Sequence, residues 1–263
     1  MKEDEIKITE DVVIPGPRPV VYIKSEKILV FADAHLGFEE EMAKHGLFLP
    51  RVQKKKLLDL LNNIFNELYV KEIVVAGDIK HQFGQLGRIE ARELREVFDY
   101  LIKHVERMII VRGNHDNFLP LITKRYENIR LVDDYYMVKD IMIIHGHKKL
   151  VLPKEKQVRL VIMGHEHPSL GLRDKLGYLI KYPCFLRVPL KEPGNIEVLI
   201  LPATGVYQTG TSITLDPNAY LSPVVREKAI LEEAKPIVFD EELGLLEFPE
   251  LRILFSSLDE MIT

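Results

Sequence analysis

The sequence predicts an α/β fold, on three observations. Through the first two thirds of the chain, short apolar runs alternate with amphipathic helices. The runs are continuously apolar, as expected of parallel strands buried on both faces. The last third changes to strands joined by turns, which predicts a second sheet packed on the first within the same domain.

In order, KILVFADAH (27–35) reads as a buried strand rich in β-branched and aromatic residues. EEEMAKHG follows as a short helix, with Gly46 suited to the left-handed position after its end. Pro50 is placed to open the next helix, where Leu57, Leu61, Ile64, Phe65 and Leu68 form one apolar stripe. EIVVAGD is a second strand. In the helix that follows it, Leu94, Val97, Phe98, Leu101, Ile102 and Val105 share a face. MIIVRGNHD is a third strand, residues 129–147 read as three more, and VRLVIMGHEH follows. Beyond it, YLIKYPCFLRVPL, NIEVLILPA, KPIVFDEELGLLEF and LRILFSS read as strands joined by turns. Ser222 and Pro223 suit the start of a helix running to about Ala234. Residues 203–217 read as a Gly/Thr-rich loop able to approach the tails described next.

Five apolar runs end alike. The tails carry Asp33 and His35; Asp78 and His81; Asn114, His115 and Asp116; His145 and His147; and His165 and His167. Seven of the nine histidines lie there, all but His45 and His104. In an open parallel sheet the carboxyl ends of strands share one edge, where ligands bind. Any single Asp-x-His or Gly-Asn-His is an ordinary turn. Five together would bury titratable groups side by side with nothing to compensate their charge. Divalent metal supplies that compensation. Imidazole, carboxylate and amide donors suit Mn, Fe, Zn, Co or Ni. Asp33, His35, Asp78, Asn114, His145, His165 and His167 are too many for one ion with open positions, and fit two if Asp78 bridges.

The bulk numbers narrow the function. The 263 residues are 46% hydrophobic and 29% charged, enough for a sizeable core. A net charge of −4 provides no strong basic field for nucleic acid, so any such binding needs a local patch or metal. The one dense basic stretch, RVQKKK (51–56), reads first as the wet face of a helix. Cys184 is the only cysteine, which excludes an internal disulfide and a thiolate cluster. The acidic, polar start and the absence of an apolar stretch of ~18 residues predict a cytoplasmic protein with no membrane partner.

Asp-x-His, Gly-Asp, Gly-Asn-His-Asp, His and Gly-His-x-His, in this order over residues 28–168, resemble the signature of calcineurin-like metallophosphoesterases. The resemblance implies a four-layer α-β-β-α sandwich and one domain over 1–263, with 169–263 supplying second-sheet strands and a C-terminal extension. It implies a first ion on Asp33, His35, Asp78 and His167, and a second on Asp78, Asn114, His145 and His165. Manganese comes first for both, with Fe, Zn, Co or Ni as alternatives. His81, three residues after Asp78, is the feature most similar to the Mre11/SbcD nucleases. The resemblance gives His115 the proton transfer to the leaving group, and gives His81 the orienting of His115 or a phosphate contact. Arg112 and His147 are candidate phosphate contacts. The expected activity is phosphodiester hydrolysis, with nucleic acid a candidate substrate. The alternatives are a small-molecule nucleotide phosphatase or diesterase, and a catalytically silent scaffold. A homo-oligomer is left open.

Overall fold

The computed structural model describes residues 5–173, 178–192 and 194–260. The first sheet runs in sequence order: β1 (Glu5–Lys7), β2 (Val12–Pro15), β3 (Val21–Ile23), β4 (Ile28–Phe31), β5 (Glu72–Val75), β6 (Arg107–Val111) and β7 (Ile129–Val132). β4 to β7 are parallel neighbours, and β1 to β4 form an antiparallel meander. The helices between are α1 (Phe38–Lys44), α2 (Gln53–Glu67), α3 (Arg88–Leu101) and α4 (Pro120–Thr123). Gly46 takes φ 81° just beyond α1, and α2 starts at Gln53, three residues after Pro50.

The second sheet contains β8 (Tyr136–Val138), β9 (Ile141–Ile144), β10 (Leu160–Met163), β11 (Pro168–Arg173), β12 (Leu179–Pro189), β13 (Glu197–Ile200), β14 (Thr211–Ser212), β15 (Lys235–Asp240) and β16 (Gly244–Glu247). β9, β10 and β13 are parallel. This sheet therefore begins at Tyr136, well before the last third where the sequence suggested it. The chain changes sheets in the short segment after β7, and a segment that brief carries no pattern to announce the change. α5 (Pro223–Lys228) has the Ser222 cap and Pro223 start expected of it, but ends early and gives way to a 3₁₀ turn at Leu231–Glu233. LRILFSS, expected as a strand, lies in helix α6 (Leu251–Glu260), which buries Leu251 and Leu254 one turn apart.

Three apolar layers separate four structural ones. Leu57, Leu61 and Ile64 of α2, with Leu94, Val97 and Phe98 of α3, pack on Leu29, Phe31, Ile73 and Val75 of the first sheet. Val30, Val74 and Ile109 on its other face meet Ile143, Ile162 and Leu199 of the second sheet. The outer face of that sheet is covered by Val224, Val225, Leu231, Leu251 and Leu254. The order is α-β-β-α. Each central parallel strand is buried along its length, which is why its sequence is apolar except for Glu72, which opens β5 and pairs with Arg107. Among the described residues, no helix is long and apolar enough to cross a membrane.

Candidate metal centre

The tails of β4, β5, β6, β9 and β10 carry the seven candidate ligands, three strands from one sheet and two from the other. The single sheet edge suggested by the sequence is thus a seam between two sheets. Backbone bonds hold the tails in register: Asp33 donates to Gly77 O at 3.0 Å and His35 to Asp78 O at 3.0 Å. The loop after β13 joins them, with Gly205 donating its N–H to Asp33 O at 3.0 Å. It meets the candidate site through its backbone.

Three ligand atoms of Asp33, His35 and His167 lie within 4.8 Å of one another, and so do three of Asp78, His145 and His165. The Asn114 side chain joins the second trio, its Oδ1 3.1 Å from His145 Nε2. A further trio, His35, His81 and His115, flanks the first. The carboxylates Asp33 and Asp78 are buried at the floor, while His165, His167, Asn114 and His115 are half-buried above them. The cluster is a cleft with an acidic base and imidazole walls.

The backbone is wound tightly to achieve this. Asp33, His35, Asp78, His165 and His167 all adopt positive φ, between 44° and 71°. Such conformations cost roughly 1–3 kcal/mol each and gather at functional sites. Glycine makes the close approaches possible: a Cβ on Gly77 would stand 2.2 Å from His145 Nδ1, and one on Gly164 would stand 2.6 Å from Asp33 Oδ2.

The donor set fits divalent cations. His145 Nδ1 donates to Ala76 O at 2.9 Å, so its Nε2 presents a lone pair. That lone pair faces Asp78 Oδ2 at 3.2 Å and Asn114 Oδ1 at 3.1 Å, both acceptors. Three lone pairs meeting in a buried space require a proton or a cation between them. Burial opposes charge on His145, yet Asp78 and Asp33 together raise its pKa to about 9, a measure of how strongly this spot calls for positive charge. In the first trio, Asp33 Oδ1, His35 Nε2 and His167 Nε2 are buried without a hydrogen-bond partner. Burial, then the neighbouring His145, pushes His165 down to about 3, which leaves a neutral imidazole suited to ligation.

His115 Nδ1 donates to the backbone carbonyl of His81, which leaves Nε2 as the ring's other nitrogen free of that bond. The two rings stack at 5.4 Å. The His81 carbonyl accepts the bond from His115, while His81 Nδ1 lies 3.3 Å from His35 Nδ1. Arg112 Nη1 pairs with Asp133 at 2.9 Å. His147 lies beside His145, ring centroids 5.1 Å apart.

The residues that brace the cleft have no role in the sequence pattern, where Asp116 stands only as the last residue of a tail. Asp116 is fully buried and accepts N–H bonds from Asp78 at 2.8 Å, Ile79 at 3.1 Å, Lys80 at 3.4 Å and Gly113 at 2.8 Å. It ties the β5 tail to the β6 tail. Burial and then the Asp78 charge push its pKa up to about 6. Glu166, between two candidate ligands, points away from them and accepts from Leu221 N and Ser222 N. Lys80 and Glu90 form a fully buried pair at 3.9 Å, and Glu90 also holds the backbone N–H groups of His81 and Gln82. The one signal for Asp116, Glu166 and Lys80 is position, each in a motif; Glu90, within α3, has none.

Comparison with known proteins follows the same lines. The Pseudomonas putida nuclease MPE superposes with a TM-score of 0.59 at 20% identity, covering 89% of this chain and 96% of its own. A protein of unknown function from Aquifex aeolicus (18% identity, 53% and 78% covered, TM-score 0.34) and a predicted phosphoesterase from Streptococcus pneumoniae (12%, 85% and 97%, TM-score 0.31) are more distant. No curated protein matches by sequence. The likeness to MPE establishes shared architecture, α-β-β-α with two sheets. The family model for calcineurin-like phosphoesterase matches residues 26–200, a stretch that holds every strand tail described above. This chain belongs to the calcineurin-like phosphoesterase family.

Proposed function

We propose that the chain is a two-ion phosphodiesterase, with manganese as its working metal and nucleotides or nucleic acid as substrates. The observation that carries this reading is the pair of ligand trios in one cleft, the first with Asp33 Oδ1, His35 Nε2 and His167 Nε2 buried without a hydrogen-bond partner and the second with His145 Nε2, Asp78 Oδ2 and Asn114 Oδ1 converging. Asp33, His35 and His167 would hold one ion and Asn114, His145 and His165 the other, with Asp78 shared between them. When bound, such ions supply a nucleophilic water acidified to near neutral pH and positive charge for the phosphoryl oxygens.

The protein's own groups do the rest. Asp116 keeps the Asp78 and Asn114 tails at fixed separation, so the donors are aligned before substrate arrives. His115, with Nδ1 donating to His81 O, carries a transferable proton on Nε2 when it is the imidazolium, and in that form delivers it to the departing oxygen. A diester with an alkyl leaving group, as in a nucleic-acid linkage, needs that proton more than an aryl ester does, because an alkoxide is the poorer leaving group. RVQKKK opens α2 with Lys54 paired to Glu96, which is how a solvated helix face behaves, so a long nucleic-acid track is not where affinity is sought.

The test is turnover of bis(p-nitrophenyl) phosphate against p-nitrophenyl phosphate with added Mn, alongside calorimetric titration of the ion. Two bound ions and faster diester cleavage are expected. Absence of divalent binding would return the chain to the silent-scaffold alternative.

A further inference from the structure

A cavity of about 460 Å³ opens beside the second ligand trio, with His145 and His147 in its wall. Its size lies within the ~300–1,000 Å³ of ligand pockets. Its floor is apolar, formed by Met142, Ile144, Leu150 and Leu152, with Tyr135 at the edge. The charged groups on its rim are already matched: Lys148 pairs with Asp134 at 2.9 Å, Lys149 with Glu227 at 2.8 Å, and Arg112 Nη1 with Asp133. A polyanion would find few free cations here. Two polar atoms of the lining residues stand apart, since Arg112 Nε and His147 Nδ1 are buried without a hydrogen-bond partner. Apolar walls with a few unsatisfied polar atoms describe a site for a flat ring that carries acceptors on its edge.

The position of the cavity says which part of a substrate would enter it. His115 and His81 neighbour His35, with ring centroids 5.1 and 5.3 Å away, on the flank of the first trio. The cavity adjoins the second trio through His145, whose ring centroid is 4.9 Å from that of His165. The leaving group departs towards the proton donor, and the cavity lies on the other flank.

We propose that this cavity binds the nucleobase of the group that stays on phosphorus, and so makes the enzyme selective for nucleoside phosphodiesters. This rests on the phosphodiesterase reading and names its substrate class. The ring lies against Ile144, Leu150 and Leu152, and a turn of the Arg112 or His147 side chain brings its buried, unpartnered nitrogen to the ring's heteroatoms.

The test uses two diesters with the same leaving group, thymidine 5′-(p-nitrophenyl phosphate) and methyl p-nitrophenyl phosphate. Val151→Trp fills the cavity mouth from a residue 74% exposed and outside the catalytic groups. It should lower kcat/KM for the thymidine ester about tenfold, the scale of one lost apolar contact set, and leave the methyl ester unchanged. Tyr135→Ala, also at the edge, should act in the same direction if the tryptophan variant folds poorly. Saturation-transfer NMR with thymidine alone should give base-proton signals in the parent protein and lose them in Val151→Trp. Those signals without any diester turnover would uphold the pocket while the phosphodiesterase reading falls. Equal loss on both diesters, no change on either, or no thymidine signal overturns the proposal.

Discussion

Asp78 and His145 face each other at 3.2 Å across the seam between the two sheets. One comes from the tail of β5 and the other from the tail of β9, and Asp78 Oδ1 also accepts the His115 N–H at 2.8 Å. The carboxylate therefore touches both the proposed ligand set and the proposed acid. Asp78→Asn is expected to abolish tight divalent binding and lower kcat by roughly 10³-fold, as loss of a principal charge stabiliser does. Calorimetric titration beside the diester assay checks both. Retained ion binding would remove Asp78 from the shared position.

His115→Ala should keep the bound ions yet lose turnover by roughly 10²–10⁴-fold on an unactivated diester. The loss should shrink on p-nitrophenyl esters, whose leaving group needs little protonation. The dependence of rate on leaving-group pKa in parent and variant is the measurement, and an equal loss across the series would give His115 a structural role.

Gly77→Ala puts a Cβ 2.2 Å from His145 Nδ1 on a residue at φ 88°. The backbone must shift, at roughly 1–3 kcal/mol of stability by analogy with overpacked cores. Because the displaced group is a ligand candidate, ion affinity should fall further than the melting temperature suggests. Urea unfolding and ion titration on the same variant separate the two.

Acid should destabilise the metal-free protein. Burial first, with neighbouring cations second, lowers His81 and His147 to about 4 and His165 to about 3. Their folded pKa values lie below the ordinary ~6.5, so the unfolded chain takes up protons first as pH falls. Their contribution is complete above about pH 6.5 and is lost on the way down to about 4. His145, raised to about 9 against its burial by Asp78 and Asp33, works the other way: its contribution is complete below about pH 6.5 and is lost as pH rises from there to about 9. Thermal melts from pH 8 to 4.5 should show a steady fall below 6.5, and a flat profile would contradict the neutral imidazoles.

Lys80→Met leaves Glu90 buried without its cation, a change that typically costs about 3–5 kcal/mol. Denaturant unfolding measures the loss. Since Glu90 also holds His81 N, the variant should slow turnover beyond what reduced folding accounts for.

Much of the site was legible in the sequence because its chemistry is written at strand ends. An apolar run, a glycine and then carboxylate or imidazole mark Asp78 and His165, and an apolar run ending directly in imidazole marks His145. α2 and α3 were legible from their long apolar stripes. The move of β8 and β9 into the second sheet was hidden, since apolar strands look alike whichever sheet they join. LRILFSS (251–257) reads as a strand yet lies in a helix, because a short apolar run has no period long enough to separate the two. Asp116, Lys80 and Glu166 escaped for a different reason: charged residues beside a cleft are ordinarily solvated, and only coordinates reveal that these three turn inward.

The left-handed turns at Asp33, His35, Asp78, His165 and His167 have a consequence for how ions come and go. The awkward conformations are imposed as the chain folds, so arrival of a cation demands little rearrangement of the main chain. Loading and stripping should run quickly and reversibly, one transition metal exchanging for another inside an already finished cage.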